Sequence, residues 1–165
     1  MKRTLAPAWL AATLIATPLQ AEPAYLSTRV LSFTLAHTLA IQAAEACRKQ
    51  GYQVTASVVD RSGHLLALVR DPLAGTHTIE VSRLKAVTAA SFQTPTIEMQ
   101  DGFVTLRHAP DVLLVGGGVP VRVGGHFYGA VGISGAPARK ITGDVDDECA
   151  RVGIDAIREA IEFGE

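Results

Sequence analysis

The sequence predicts an α/β domain in which helices cover a five-stranded antiparallel sheet. Segments with helical spacing alternate with short β-branched runs, in the order helix, two strands, helices, three strands, helix. Tight turn signals join neighbouring strands, Asp60-Arg61-Ser62-Gly63 in the first half and Gly124-Gly125 in the second. Strands connected so closely pair antiparallel, because parallel neighbours need a long crossover.

Ahead of this domain, Met1-Lys2-Arg3 supplies positive charge, Leu5 to Leu19 is an apolar run interrupted by Pro7 and Pro18, and Leu19-Gln20-Ala21 ends in a small residue. The run is shorter than the ~20 residues a bilayer span needs, and no stop-transfer pattern follows it. Residues 1–21 therefore read as a cleaved secretory signal rather than a retained anchor. The expected mature chain, 22–165, is one domain that is periplasmic or secreted, with no membrane span after cleavage.

Tyr25 to Leu31 retains some alternation and reads as a short extended lead-in. Ser32 then caps an alanine-rich helix that stops at Gly51, with Ala36, Leu39, Ala40, Ala43, Ala46 and Cys47 on its apolar face and His37 on the flank. Val54 to Val59 and His64 to Arg70 form a hairpin around the Asp60 turn. Thr78 is the expected cap of a second helix reaching Phe92. Thr94-Pro95 opens another that ends before Pro110, since proline suits the first helical position. Val112 to Val115, Val119 to Val123 and His126 to Ser134 complete the five strands. Asp144 caps the last helix, whose first turn holds Asp146, Asp147 and Glu148 at the positive end of its dipole.

Composition narrows the function. Fifteen Lys and Arg balance 16 Asp and Glu, which argues against a nucleic-acid footprint or a polybasic membrane patch. The single tryptophan, Trp9, falls in the signal, leaving few stacking platforms for bases or sugars. Cys47 lies near the end of the first helix and Cys149 near the start of the last. If these helices pack antiparallel the thiols meet and oxidise in an exported protein; otherwise they are two small buried hydrophobes.

The glycines between Gly116 and Gly135 sit within and between strands, not between a strand and a phosphate-binding helix, so they serve turns and close backbone approach. No zinc spacing, Cys-x-x-Cys-His or Gly-x-Ser-x-Gly is present. Five separated histidines remain: His37, His64, His77, His108 and His126. His77 precedes the second helix, whose positive end favours a neutral imidazole able to bind metal; its plainer role is a loop hydrogen bond. His37 is placed for an inner pocket or for ordinary packing. His64 and His126 open strands, and His108 stands at a helix end. Arg70, Arg83 and Lys85 cluster around one loop and helix, where arginines can receive carboxylates or remain solvated surface charge. Asp60 is explained by its turn.

Several segments resemble one family. They are Val58-Val59-Asp60-Arg61-Ser62-Gly63-His64-Leu65, Lys85-Ala86-x-Thr88-Ala89, Gly116-Gly117-Gly118-Val119-Pro120-Val121, Gly129-Ala130-Val131-Gly132-Ile133-Ser134-Gly135 and Asp147-Glu148-Cys149-Ala150. In this order they resemble the GlcG/HbpS-like family over essentially the whole mature chain. The resemblance implies a profilin-like α/β/α fold with a five-stranded antiparallel sheet and a tendency to form homo-oligomers. It also implies non-covalent haem as ligand, as in the extracellular haem-sensing branch and the PduO-type domains. Other members, including those encoded with glycolate oxidation, have no clear activity. One departure stands out: many members carry Arg-Met-Asp-Gly-Ala after the second strand, where this chain has Arg70-Asp71-Pro72-Leu73-Ala74-Gly75-Thr76-His77.

The leading expectation is an exported haem-binding protein that stores, senses or buffers haem, with His77 or His37 at the iron and Arg70 or Arg83 near the propionates. One alternative is an accessory protein or enzyme acting on a small oxidised metabolite such as a 2-hydroxy acid or aldehyde. Another is a structural oligomer that docks a partner protein.

Overall fold

A computed structural model describes residues 23–102 and 104–164; the expected signal segment lies outside the described residues. Helix α1 (Phe33–Arg48) begins at Ser32, whose Oγ accepts from the Leu35 amide at 3.3 Å, and the chain leaves it through Gly51 at φ 87°. Strands β1 (Thr55–Val59) and β2 (Leu65–Arg70) form the first hairpin. Asp60 sets its turn: Oδ1 accepts from the amides of Ser62 at 2.8 Å and His64 at 3.0 Å. Helix α2 (Thr78–Phe92) follows, then two short 3₁₀ turns, Thr96–Met99 and Val104–His108. Strands β3 (Gly118–Val123) and β4 (His126–Ser134) form the second hairpin. Gly124 and Gly125 take φ of 55° and 78°, as a two-residue turn with left-handed central residues requires. Helix α3 (Asp144–Phe163) closes the chain.

Among the described residues the sheet has four strands in the order β2-β1-β4-β3, every pair antiparallel. The expected fifth strand, Val112–Val115, does not form. Its polar backbone bonds to side chains instead of a neighbouring strand: Thr88 Oγ1 accepts from the Leu113 amide at 2.8 Å, and Thr96 Oγ1 donates to the Val115 carbonyl at 2.7 Å. The helix expected from Thr94 to Pro110 is likewise replaced by the two 3₁₀ turns, separated by a turn that contains Gly102. Residues 25–31 form no strand. Two expected caps are shifted. His77 occupies the cap position of α2, while Thr78 donates backward to the Gly75 carbonyl at 2.6 Å; Gly143, at φ 83°, precedes α3 in place of Asp144.

The layers are α2 on one face of the sheet and α1 with α3 on the other. Ala56 and Val58 of β1 join Leu39, Ala43, Val131, Ile133, Val145 and Ile157 in the larger core under α1 and α3. The α2 face is different: hydroxyls pair across it, Thr55 with Thr78 and Ser57 with Ser82, both at 2.7 Å. Here α2 lies almost on the strand backbone. A Cβ on Gly132 would stand 2.1 Å from the Ser82 carbonyl oxygen, and one on its register partner Gly118 2.2 Å from that of Lys85. No helix among the described residues is long and apolar enough to cross a membrane.

Cys47 and Cys149 are bonded, Cα to Cα 5.5 Å, and pin α1 to α3 within the larger core. With a sequence separation of 102, the crosslink restricts the unfolded chain strongly. Loop entropy of that size is worth about 4–5 kcal/mol. Urea unfolding with and without a thiol reductant should therefore differ by several kcal/mol, and coincident curves would show that the bond contributes nothing.

Asp144 holds the loop leading into α3, accepting from the amides of Arg139 at 3.0 Å and Lys140 at 2.7 Å. These backbone donors, Arg139 first, hold its carboxyl below the ordinary carboxylate range. A pKa lowered by folding contributes stability that is complete above the unfolded value and is lost as pH falls through the folded one. The wild-type advantage over Asp144→Asn in urea midpoint should thus be present at neutral pH and shrink below about pH 4. An advantage that grew with acid would contradict this role.

Candidate functional site

The glycine approach of α2 carries Lys85 into the interior beside the end of β4. Lys85 is 2 % exposed and Asp146, in the first turn of α3, is 3 % exposed. Lys85 Nζ donates to Asp146 Oδ2 at 2.7 Å and to the Ile133 carbonyl at 2.9 Å; Asp146 Oδ1 accepts from the Ala136 amide at 3.0 Å. Burial lowers the Lys85 amine, opposed by Asp146, and burial raises the Asp146 carboxyl, opposed by Lys85. Burial thus narrows the gap between the ionised pair and the neutral one, while their mutual attraction works to keep the charges.

A cavity of about 260 Å³ opens above this pair. Lys85 and Asp146 contribute to its lining, Val81, Val115 and Ala138 supply apolar wall, and Ser134 and Thr142 add hydroxyls. His77 lines it too, exposed and with its imidazole lacking a hydrogen-bond partner among the described residues. Its ring lies over Gly75, where an added Cβ would come within 2.7 Å of Cε1. The departing loop 70–77 thus brings a free imidazole to the cavity.

The other expected site residues are not gathered there. His37 stands on α1, in the opposite layer, donating from Nδ1 to the Phe33 carbonyl at 2.9 Å with its ring 4.2 Å from that of Phe33. His77 and His37 therefore do not converge on one iron within a chain. Arg70 lines a separate groove with Glu45, Arg48 and Tyr52 and donates to the Ala74 carbonyl. Arg83 is held by Glu80, at 2.7 and 2.9 Å, and by Asp111 at 3.4 Å. Neither arginine lines the cavity, because their side chains are committed to local partners. His64 bonds Asp60 Oδ2 at 3.3 Å across its turn. Among the described residues no group of three or more His, Cys, Asp or Glu side chains could hold a metal ion.

Sequence reasoning missed Lys85 and Asp146 as a unit. Lysine is seldom fully buried, and an aspartate in a first helical turn already has a dipole role, so each had a local explanation. The available signal was their presence within or beside the segments that carried the family resemblance.

Comparison with known proteins agrees with this architecture. The family described as "Haem degrading protein HbpS-like" matches residues 31–155. GlcG of Escherichia coli strain K12 is 34% identical over 109 residues, covering 64% of this chain and 81% of that protein. The crystal structure of a double mutant of Streptomyces reticuli HbpS superposes with a TM-score of 0.75 at 33% identity, covering 86% of this chain and 97% of the other. A crystal structure of a PduOC:heme complex superposes with a TM-score of 0.68 at 29% identity, covering 78% and 95%. From the motif order, the layered antiparallel fold and these similarities, the chain belongs to the HbpS-like family, with GlcG among its relatives.

Proposed function

We propose that the chain binds haem non-covalently at the His77 face of this cavity, as an exported protein that stores, senses or buffers it. The observation that carries the reading is the free, exposed imidazole of His77 beside an apolar wall, in a family where a related structure is a haem complex. The cavity, about 260 Å³, is below the roughly 300–1,000 Å³ of sites that enclose drug-sized ligands. A macrocycle would therefore lie across the open mouth. His77 would hold the iron, Val81, Val115 and Ala138 would meet the ring, and the exposed Lys140 on the neighbouring loop, whose ammonium has no partner among the described residues, would be a cation for a propionate. Haem so held would supply redox and gas-ligand chemistry; the protein's part would be to offer the His77 imidazole and exclude water from one face.

Export rests on residues 1–21 and fits the Cys47–Cys149 bond, since disulfides persist in oxidising compartments. Assembly into homo-oligomers belongs to the same proposal. It is supported by the apolar Leu65 and Leu68 on the edge strand β2, which stay 49% and 36% exposed.

Haemin titration of the purified mature chain tests the site. A saturable Soret shift is expected, weakened by about tenfold or more in His77→Ala, as for loss of a metal ligand's support, and unchanged in His37→Ala. Absence of a shift at micromolar haemin, or equal affinity in His77→Ala, would overturn the proposal.

A further inference from the structure

The floor of the cavity has chemistry that haem binding does not use. Lys85 Nζ has two protein acceptors, Asp146 Oδ2 and the Ile133 carbonyl, which leaves the third hydrogen of an ammonium without one among the described residues. Ser134, 5 % exposed, lines the same cavity, and its hydroxyl has no partner among the described residues. Ser134 shares the α2-facing side of the sheet with its register partner Thr55. The backbone is drawn in tightly behind the pair: a Cβ on Gly117 would come 2.7 Å from Asp146 Cβ and 3.0 Å from Lys85 Nζ. The site therefore offers two donors that line the cavity beside a charge pair that is neutral overall. An anion placed there would be repelled by the Asp146 carboxylate, whereas a neutral oxygen acceptor brings no like charge to it.

We infer that this cavity takes a small neutral aldehyde or ketone, whose oxygen accepts from the Ser134 hydroxyl and whose carbonyl carbon forms an imine with Lys85 Nζ. The step is balanced without any further reactant. A proton moves along the 2.7 Å contact from Nζ to Asp146 Oδ2, in the direction that burial favours for both groups. The freed lone pair attacks the carbonyl carbon, the π pair moves onto oxygen, and that oxygen takes the proton back from Asp146, giving a carbinolamine. One nitrogen proton then passes through Asp146 to the hydroxyl, which leaves as water while the nitrogen lone pair closes the C=N bond. The product iminium carries the charge the ammonium had and remains paired with the Asp146 carboxylate. Neither iron nor porphyrin takes part, so this inference stands or falls separately from haem binding.

Reductive trapping tests it on the intact mature chain without haem. The protein is incubated with propanal and cyanoborohydride at neutral pH, and the alkylated sites are mapped by peptide mass analysis. Lys49 and Lys140, both exposed, are internal references. Lys85 should be alkylated about tenfold or more faster than either, as an activated buried amine is relative to a solvated ammonium. Ser134→Ala should slow Lys85 alkylation severalfold while leaving Lys49 and Lys140 unchanged. Labelling confined to Lys49, Lys140 and the amino terminus would overturn the inference, as would Lys85 labelling that Ser134→Ala does not slow.

Discussion

An ammonium and a carboxylate 2.7 Å apart, both almost wholly removed from water, join α2 to α3 across the end of the sheet. Isolated burial of either charge would cost several kcal/mol, so the arrangement holds only because the surrounding polar atoms are supplied. The Ile133 carbonyl takes a second Lys85 hydrogen, and the Ala136 amide satisfies the other Asp146 oxygen. Each partner comes from a different part of the chain: α2, the end of β4, the loop after it and the first turn of α3. The pair thus sets where four segments meet, and the cavity is the space left above it.

That geometry depends on the contrast between the two faces of the sheet. Under α1 and α3 the contacts are aliphatic and are reinforced by the Cys47–Cys149 bond. Under α2, around Thr78, Ser82 and Lys85, they are small and hydroxylic, with Val59 and Phe127 packed in a smaller cluster with Ala86, Ala89 and Ala90, and the helix comes so close that Gly118 and Gly132 admit no side chain. Side chains at Gly118 or Gly132 would lift α2 and withdraw Lys85 from Asp146. One face therefore supplies most of the hydrophobic stabilisation, and the other gives up apolar area in return for placing polar groups at a site.

The elements governed by local chemistry were legible in the sequence. Ser32, the Asp60 turn and the Gly124-Gly125 turn each act through hydrogen bonds or left-handed φ within a few residues, and the structure has them where expected. The failures are tertiary. Val112–Val115 has the composition of a strand, but Thr88 and Thr96 capture its backbone. His77 and His37 both stood as candidates for the iron because nothing local tells which face of a sheet a helix will cover. Lys85 and Asp146 are 61 residues apart, so no periodicity links them.

The dependence of the fold on this pair is open to a double-mutant cycle with Lys85→Met, Asp146→Leu and the combined variant, read by urea unfolding. Each single change leaves an unpaired buried charge and should cost about 3–5 kcal/mol. The double variant should lose less than the sum by well over about 1 kcal/mol, because two apolar side chains can pack where one orphaned charge cannot. Single and double losses that simply add would contradict the coupling on which this account rests.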